Sequence, residues 1–225
     1  LAAGCAGFVY ALDVANRLVG SGAYEHVLII GADLLSRYVD FSDRSTCVLF
    51  GDGAGAAIVA PVAAERGVVA TQLGADGRGV DKLYVPAGGT RRPLTAEGLA
   101  QRDNTIKMVG NEVFKFAVRI LADATLDVLA QVDLEPADID LFVPHQANVR
   151  IMDAAAKRLG LPPEKVFANV ARYGNTSAAS IPIALDEAVA TGRLAEGDLV
   201  ALVGFGTGLA WAAALMYWGG AETAQ

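Results

Sequence analysis

The chain carries a diverged internal repeat, and this repeat restricts the possible folds more than any other feature. Near the start, a helical run ends at residues 21–22 (Ser-Gly), and the apolar run 27–31 follows it. Near the end, a helical run ends at residues 191–192 (Thr-Gly), and the apolar run 199–204 follows it. Repeats of this length are usually whole half-domains, so we expect two pseudo-symmetric halves.

A second apolar run completes each half of the repeat. Residues 50–53 (Phe-Gly-Asp-Gly) lead into residues 56–59, and residues 205–208 (Phe-Gly-Thr-Gly) lead into residues 212–215. Glycine interrupts strand patterns where the backbone turns or packs closely. We therefore expect each half to contain a helix followed by two strands.

Two residues whose side chains can take part in catalysis occupy matching positions in the two halves of the repeat. Cys5 lies as far before Gly22 as Asn175 lies before Gly192. Each precedes a helical segment, and helix N-termini favour negative charge. The repeat thus suggests one site shared by both halves, although chance also explains a coincidence that rests on so little identity.

The unequal lengths of the halves define the expected domain division. About a hundred residues separate residue 59 from Asn175, and nothing comparable precedes Cys5. We expect residues 1–66 to be the remainder of an N-terminal half and residues 67–225 to be the C-terminal half. Doubling the longer half predicts that the chain is an N-terminally truncated piece of a protein of roughly 330 residues.

The remaining apolar patterns predict an α/β fold. Helical spacing and short apolar runs bounded by glycine or proline separate the expected helices from the expected strands. The expected helices are residues 6–19, 111–131, 147–159 and 178–189. The expected strands are residues 27–31, 48–50, 54–60, 67–74, 139–143, 166–170, 199–204 and 212–215. We expect mixed sheets that are covered and separated by helices.

Charge and composition exclude several classes of protein. The net charge is −7, the wrong sign for a generic binder of nucleic acid or of an anionic membrane. Apolar residues make up 53% of the chain, so disorder is excluded. Cys5 and Cys47 are the only cysteines, too few for a disulfide framework or a cysteine zinc site. We therefore expect no metal and a reducing, cytoplasmic compartment.

One charge-free segment, residues 199–221, is long enough to cross a bilayer as a helix. Gly204, Gly206 and Gly208 interrupt its first half. Two apolar runs around a glycine turn favour two buried strands over a membrane helix.

Cys5 is a candidate nucleophile. The small residues Gly4 and Ala6 flank it and leave room for a substrate. A helix N-terminus lowers the pKa of a thiol, which predicts a Cys5 thiolate at neutral pH. A buried apolar cysteine is the alternative, and it is the preferred interpretation of Cys47, which lies in a strand-like run.

Two further polar residues are candidates for the same site. His145 directly follows a predicted strand, where α/β proteins bind ligands, so it is a candidate donor or base. The amide of Asn175 is a candidate donor to a substrate oxygen. The alternatives are a structural histidine and a helix cap formed by the Asn-Thr-Ser run at residues 175–177. His26 lies in a turn and is expected at the surface.

The glycine run 51–55 is expected to pack closely or to offer an oxyanion amide. It lacks the Lys-Ser/Thr of a phosphate-binding loop and leads into a strand. A phosphate site is therefore not expected there.

Five motifs occur in order along the chain. They are Cys-Ala-Gly-Phe at residues 5–8, Phe-Gly-Asp-Gly-Ala-Gly-Ala at 50–56, Gly-Asn-Glu-Val-Phe at 110–114, Val-Pro-His-Gln-Ala-Asn at 143–148 and Gly-Asn-Thr-Ser-Ala-Ala-Ser at 174–180. Together they resemble the β-ketoacyl-acyl-carrier-protein synthase III family, thiolase-fold condensing enzymes that start fatty-acid chains. Elongating condensing enzymes of this fold use two histidines with the cysteine. This chain offers His145 and Asn175 instead, which fits the initiating type.

The resemblance implies a thiolase-like fold with an incomplete first half, and a role for each site residue. Cys5 would be acylated by the primer, while His145 and Asn175 would hold the malonyl thioester oxygen and stabilise the enolate formed on decarboxylation. Backbone N–H groups of Cys5, Gly206 and Thr207 would bind the acyl oxygen, and Thr207 departs from the glycine often found there. The implied reaction is a decarboxylative Claisen condensation of an acyl-CoA primer, such as acetyl-CoA, with malonyl-acyl-carrier-protein.

The resemblance also implies binding residues and partners. The adenine end of coenzyme A would meet Arg44, and its pantetheine arm would lie along Gly110, Asn111, Phe114, Ala147 and Asn148. The acidic acyl carrier protein would dock on Gln146, Arg150 and Lys115, where the alternative is ordinary solvated helix faces. A homodimer is implied, without a nucleic-acid or membrane partner. No cofactor is implied, because the coenzyme A thioester is a substrate.

Two other functions stay open. A synthase III-like acyltransferase or a ketide synthase of secondary metabolism would use the same three residues. A non-catalytic subunit that scaffolds a partner is the alternative from another class, and the intact set of Cys5, His145 and Asn175 argues against it. The motifs do not determine the length or branching of the primer.

Overall fold

The structure, a computed structural model, describes residues 1–63 and 66–219. The helices are α1 (Gly7–Gly20), α2 (Ala96–Ala100), α3 (Gly110–Ala130), α4 (Val149–Leu159), α5 (Val170–Tyr173) and α6 (Ser180–Ala190). The strands are β1 (Val27–Leu34), β2 (Asp52–Val59), β3 (Gly67–Ala75), β4 (Leu83–Tyr84), β5 (Lys107–Met108), β6 (Leu141–Pro144), β7 (Leu199–Gly206) and β8 (Ala210–Tyr217). Short 3-10 turns include Gly4–Ala6, Leu35–Tyr38 and Ser177–Ala179.

The strands form one large sheet and two small ones. The large sheet has the order β3-β8-β7-β6, in which β6 runs parallel to β7 and the other neighbours are antiparallel. β1 pairs with β2 in a separate antiparallel sheet, and the two-residue strands β4 and β5 form the third.

Helices cover both faces of the large sheet. On one face, α3 and α4 pack in a core with Ala201, Val203 and Phe205 of β7. On the other face, α1 and α6 pack with Val200 and Leu202 of the same strand. Since α1 also contacts β1 and α6 contacts β2, these two helices separate the large sheet from the β1–β2 sheet. The expectation of mixed sheets covered and separated by helices is confirmed.

Strand β7 accounts for the start of the charge-free run. All its residues are buried, because alternate side chains face helices on opposite sides of the sheet. β8 follows after the turn at residues 207–209 and pairs with β7 along its whole length. The expectation of two buried strands is confirmed, while residues 220–221 of the run lie outside the described residues. In residues 1–63 and 66–219, no helix is long and apolar enough to cross a membrane.

The internal repeat corresponds to two similar units, α1–β1–β2 and α6–β7–β8. In each unit, a helix precedes an antiparallel strand pair. The units differ in the connection between their strands, which spans residues 35–51 in the first and only residues 207–209 in the second. The domain division after residue 66 stays a prediction.

The expected strand at residues 48–50 is wrong. Residues 44–49 form consecutive turns, in which the N–H of Cys47 donates to the carbonyl oxygen of Asp43 at 3.0 Å. Phe50 makes only an isolated bridge to Asn175. Short apolar runs are compatible with turns as well as strands, so their composition alone did not separate the two.

The expected strand at residues 166–170 is also wrong. Val166 makes a single bridge to Phe142, and α5 already begins at Val170. The 3-10 turn Pro163–Lys165 directly before it bends the chain, which leaves too few extended residues for a strand.

The glycine run 51–55 packs closely against the second half of the chain. A Cβ atom on Gly55 would lie 2.9 Å from the Cβ of Pro182 in α6. The N–H of Gly51 donates to the carbonyl oxygen of Asn175 at 2.9 Å, so that amide is already used. A Cβ atom on Gly51 would overlap the carbonyl oxygen of Tyr173, so the close-packing interpretation is correct for Gly51 and Gly55.

Candidate active site

Cys5 lies in the 3-10 turn Gly4–Ala6, which directly precedes α1. The residue is nearly buried, with 7% of its surface exposed. The end of β7 approaches it so closely that a Cβ atom on Gly206 would lie 2.5 Å from the Cys5 nitrogen. A glycine is required there, and it lets the second half of the chain pack directly on the cysteine.

The pKa of the Cys5 thiol is raised to about 11. Burial is the main cause because it penalises the charged thiolate, and the carboxylate of Asp33 adds to the rise. The hydroxyl of Ser177 and the backbone N–H of Cys5 lower the pKa because they donate towards the sulfur. The expected thiolate at neutral pH is therefore wrong for this structure, since the loss of water outweighs the favourable position before α1.

The Cys5 thiol should become more reactive when the charge of Asp33 is removed. Asp33→Asn keeps an oxygen that can accept the N–H of Ala178, which lies 3.2 Å from Oδ2, but it removes the charge that raises the thiol pKa. We expect iodoacetamide to alkylate Cys5 faster in this variant at each pH between about 7 and 9. In the parent, the rate should rise roughly tenfold per pH unit, because the thiolate fraction grows tenfold per unit below the pKa.

Peptide mass spectrometry separates the alkylation of Cys5 from that of Cys47. Asp153→Asn is the matched control, because it makes the same charge change at an exposed position of α4. Equal alkylation rates for Asp33→Asn and the parent would show that Asp33 does not act on the thiol.

His145 directly follows β6, at the carboxyl end of a strand parallel to β7. The residue is 1% exposed, and its ring meets the ring of Phe205 edge-on, with 5.6 Å between the ring centroids. Its Nδ1 lies 2.6 Å from the Oγ of Ser180. Burial lowers the pKa of His145 to about 3, so the ring is neutral at pH 7.

Asn175 forms a turn rather than a helix cap. Its Oδ1 accepts the backbone N–H of Ser177 at 2.9 Å, whereas α6 begins later, with Ala179 at its N-cap and no side-chain cap bond. Within residues 1–63 and 66–219, no protein group accepts a hydrogen bond from Nδ2. The residue is 8% exposed, so this amide is a nearly buried donor available to a ligand.

The segment at residues 177–180 brings the three candidate side chains together. The Ser177 hydroxyl favours the Cys5 thiolate, and the N–H of the same serine holds Asn175. Ser180 holds His145. Ser177 has a φ of +53°, a conformation that non-glycine residues rarely adopt and that often marks a functional site.

Sequence reasoning missed the contacts that Ser177 and Ser180 make with the candidate residues. Both belong to a polar run before a helix, and that pattern is typical of capping residues. Their positions beside Cys5 and His145 depend on contacts between distant parts of the chain, which the local pattern does not contain.

The predicted oxyanion donors adjoin the cysteine turn. A Cβ atom on Gly4 would lie 3.1 Å from the backbone nitrogen of Thr207 and 2.6 Å from its Oγ1. The threonine side chain therefore fits because its neighbour is a glycine. The use of the backbone N–H groups of Cys5, Gly206 and Thr207 as oxyanion donors stays a prediction.

The predicted coenzyme A residues lie mainly at exposed positions. Arg44 is exposed in the turns at 44–49, next to Asp43, whose carboxylate accepts the N–H of Ser45 at 2.9 Å. The start of α3 exposes Gly110, Asn111 and Phe114. Ala147 and Asn148 are half-buried and precede α4, which begins two residues later than expected. These assignments also stay predictions.

Asn148 is the N-cap of α4. Its Oδ1 accepts the N–H of Arg150 at 2.9 Å, so the expected helix over residues 147–159 starts at Val149 instead.

Gln146 is not available for docking, which corrects the expectation from the sequence. It is 1% exposed, and its Nε2 donates to the carbonyl oxygens of Pro144 and Phe167 at 2.8 and 3.1 Å. Its Oε1 accepts the N–H of Asn169 at 2.9 Å. Since its polar atoms are used inside the protein, Gln146 joins the loop after β6 to the segment 167–169.

Lys115 and Arg150 are exposed, and neither forms an ion pair in the part of the chain that the structure describes. Arg158 of α4 pairs with Asp123 of α3 at 3.1 Å and ties these helices together. Lys115 and Arg150 therefore remain available to the predicted docking surface, whose role stays a prediction.

The arrangement suits one kind of chemistry. A buried thiol that shares the segment 177–180 with amide and imidazole side chains can be acylated, and such groups can stabilise a negative oxygen. Within the described residues, no group of three or more His, Cys, Asp or Glu side chains could hold a metal ion.

The layered sheets and the repeated helix–strand–strand units define a thiolase-like fold. Among solved structures, the β-ketoacyl-[acyl carrier protein] synthase III of Thermus thermophilus is 52% identical and has a TM-score of 0.88. The match covers 97% of this chain and 67% of that chain.

Sequence comparisons agree with the structural match. The profile of 3-oxoacyl-[acyl-carrier-protein] synthase III matches residues 1–77, and the profile of its C-terminal part matches residues 129–218. The β-ketoacyl-[acyl-carrier-protein] synthase III of Symbiobacterium thermophilum is 53% identical over 97% of this chain and 66% of its own length. The corresponding protein of Natranaerobius thermophilus is 50% identical over 97% of this chain and 67% of its own length.

The chain belongs to the β-ketoacyl-[acyl-carrier-protein] synthase III family. The family profiles use 3-oxoacyl as a synonym of β-ketoacyl. It spans about two thirds of the length of the relatives that it matches.

Proposed function

We propose that the protein is a condensing enzyme that joins an acyl-CoA primer, acetyl-CoA first, to malonyl-acyl-carrier-protein and so starts fatty-acid synthesis. The observation that carries this proposal is the convergence of Cys5, His145 and Asn175 on the segment 177–180. Membership of the synthase III family supports it.

The first half-reaction transfers the acyl group to Cys5. The sulfur attacks the thioester carbonyl, the bond from that carbon to the sulfur of coenzyme A breaks, and coenzyme A leaves with a proton. The thiol of Cys5 supplies the matching proton. Because the pKa of this thiol is about 11, the donors from Ser177 and the Cys5 backbone matter for reaching the thiolate. Backbone N–H groups at Cys5 and Thr207 would hold the developing oxyanion.

The second half-reaction forms the carbon–carbon bond. The bond between the malonyl carboxylate and the α-carbon breaks, carbon dioxide leaves, and the electron pair forms an enolate of the thioester. Hydrogen bonds from His145 and Asn175 stabilise the enolate oxygen. The α-carbon then attacks the acyl carbonyl on Cys5, whose sulfur leaves as the thiolate. Preorganised donors of this kind stabilise a transition state by roughly 3–4 kcal/mol each.

The proposal is tested by following both half-reactions in the purified protein. With acetyl-CoA and malonyl-acyl-carrier-protein, we expect equimolar release of carbon dioxide and coenzyme A, together with formation of acetoacetyl-carrier protein. Acetyl uptake without carbon dioxide release would instead indicate an acyltransferase. A protein that takes up no acetyl group and releases no carbon dioxide would fit a scaffolding subunit.

The KM for the carrier-protein substrate should depend on Arg150. We expect Arg150→Glu to raise the KM for malonyl-acyl-carrier-protein and to leave the KM for acetyl-CoA unchanged, because an acidic carrier is attracted by an exposed cation. Added salt should mimic the variant, since exposed charges are screened over about 8–10 Å at physiological ionic strength. Steady-state kinetics with each substrate varied in turn measures both effects.

Arg193→Glu serves as the control for Arg150→Glu. It reverses an exposed charge outside α3 and α4, on a side chain that donates to the carbonyl oxygen of Glu164 and lies over the ring of Phe167. An unchanged KM for the carrier substrate in Arg150→Glu, or an equal rise in both variants, would mean that this face of α4 is only solvated.

A homodimer and a cytoplasmic location complete the proposal. The β1–β2 sheet exposes Leu28, Ile30, Leu34 and Ile58, whose exposed fractions are 58–69%. A contiguous apolar face is typical of a surface that other protein atoms cover, which here are further residues of the first half or a second copy of the chain. Sedimentation of the protein at several concentrations tests the dimer. Two free cysteines support a reducing compartment.

A further inference from the structure

Ser180 is a buried hydroxyl with two partners beside the candidate active site. It is the first residue of α6 and is 2% exposed. Its Oγ lies 2.6 Å from Nδ1 of His145 and 3.3 Å from the backbone nitrogen of Gln146. The histidine and the backbone amide that follows it therefore share one oxygen.

The roles of donor and acceptor follow from these two contacts. A backbone N–H can only donate, so the N–H of Gln146 occupies one lone pair of the Ser180 oxygen. The hydroxyl proton of Ser180 then needs an acceptor, and within the described residues Nδ1 of His145 is the other hydrogen-bonding partner of that oxygen. The hydroxyl donates to Nδ1, so the proton of the neutral ring lies on Nε2.

We propose that Ser180 is a positioning residue that holds His145 in the tautomer with its proton on Nε2, so that the ring donates a hydrogen bond to the substrate and does not act as a base towards Cys5. The identity of the accepting atom, a malonyl thioester oxygen, rests on the proposed function. The assignment of the tautomer rests only on the two contacts of the Ser180 oxygen.

Gln146 keeps this arrangement rigid. The three hydrogen bonds of its side chain hold the loop after β6, which fixes the direction of its own backbone N–H towards Ser180. The N–H of His145 donates to the carbonyl oxygen of Val203 at 2.7 Å, and Phe205 contacts the ring edge-on. With the ring held on these sides, rotation does not exchange the two ring nitrogens.

The tautomer decides what the ring offers to the substrate. A proton on Nδ1 would place the lone pair of Nε2 opposite the substrate oxygen, and two lone pairs repel each other. In a serine protease, the wrong histidine tautomer lowers kcat by about 10⁴. Ser180→Ala removes the preference without imposing the wrong form, so we expect decarboxylation to fall by about 10–100-fold.

Nitrogen-15 NMR of the histidine rings tests the proposal directly in the parent protein. The chain contains only His26 and His145, and comparison with His145→Gln assigns the signals. We expect His145 to be neutral at pH 7 with the proton on Nε2. A proton on Nδ1 would overturn the proposal without the need for any Ser180 variant.

The variants provide the second test. Ser180→Ala should show both tautomers and slow decarboxylation of malonyl-carrier protein, with acetyl uptake on Cys5 little changed. Ser180→Thr keeps the hydroxyl and should restore the Nε2–H signal and most of the rate. Thr125→Val is the matched control, because it removes another buried helical hydroxyl, 2.7 Å from the carbonyl oxygen of Leu121 in α3.

The outcomes separate this proposal from the proposed function. Parent-like decarboxylation and an unchanged ring spectrum in Ser180→Ala would overturn the role of Ser180. Equal losses in Ser180→Ala and Thr125→Val would also overturn it, because the effect would then be general to buried hydroxyls. A parent protein that does not decarboxylate would refute the function, while its ring spectrum would still decide the tautomer.

Discussion

The variants His145→Ala and Asn175→Ala are expected to lose malonyl decarboxylation by a factor on the order of 10²–10³ and still to take up an acetyl group from acetyl-CoA. Both side chains are nearly buried, and each has a nitrogen without a protein partner among the described residues. Donors to a developing enolate act mainly in the transition state, so their loss lowers the rate of that step far more than it weakens binding. The measurement sets carbon dioxide release beside radiolabelled acetyl retained on the protein.

Asn175→Asp separates the donor role of this residue from its role in the turn. The aspartate keeps an oxygen for the N–H of Ser177 but has no amide to donate. We expect it to fail in decarboxylation as Asn175→Ala does. His26→Ala, which replaces the other, exposed histidine, should behave as the parent. Carbon dioxide release at the parent rate in Asn175→Ala and Asn175→Asp would show that Asn175 only supports the turn.

Cys5→Ala is expected to show the opposite pattern, with acetyl uptake reduced to background and residual decarboxylation retained. Removal of a catalytic nucleophile lowers the rate by a factor on the order of 10⁴–10⁶, because no other group can form the covalent intermediate. His145 and Asn175 contact the segment 177–180 independently of the sulfur, so they should still stabilise the enolate. Label retained on protein and carbon dioxide release are again measured together.

Cys47→Ala is the matched control for Cys5→Ala. Cys47 is half-buried in the turns at residues 44–49, outside the segment that joins the three site residues. Acetyl uptake that survives in Cys5→Ala but disappears in Cys47→Ala would show that Cys47 is the nucleophile. That result would contradict the proposed mechanism.

Local patterns were sufficient to select Cys5, His145 and Asn175 as candidate site residues. Cys5 and Asn175 stand at matching places before helical segments, and His145 stands directly after a strand. Each of these positions follows from the order of helices and strands, which hydrophobic periodicity and glycine largely determine. The structure adds that a single segment, residues 177–180, contacts all three.

The docking role that the family resemblance implied for Gln146 is wrong. The resemblance placed Gln146 with Arg150 and Lys115 at the surface that meets the carrier protein. In the structure, its side chain bonds with Phe167 and Asn169, which come more than 20 residues later. Burial of a loop residue depends on which distant segment packs over it, and periodicity holds no information about that contact.

The protonation state of Cys5 was also beyond local reasoning. The helix that follows the cysteine predicted a lowered pKa, whereas burial raises it to about 11. The groups responsible come from elsewhere in the chain, since Gly206 of β7 covers the cysteine and the carboxylate of Asp33 lies near enough to add to the shift.

The sequence by itself determined the repeated helix–strand–strand units, the buried character of β7 and β8, and the choice of Cys5, His145 and Asn175 as candidate site residues. Spacing and residue type are sufficient for these because they act over a few neighbouring residues. Only the tertiary structure decided the pKa directions of Cys5 and His145, the burial of Gln146 and the hydrogen bonds of Ser177 and Ser180. Desolvation and hydrogen bonding depend on atoms a few ångströms apart, and at this site those atoms belong to residues far apart in the chain.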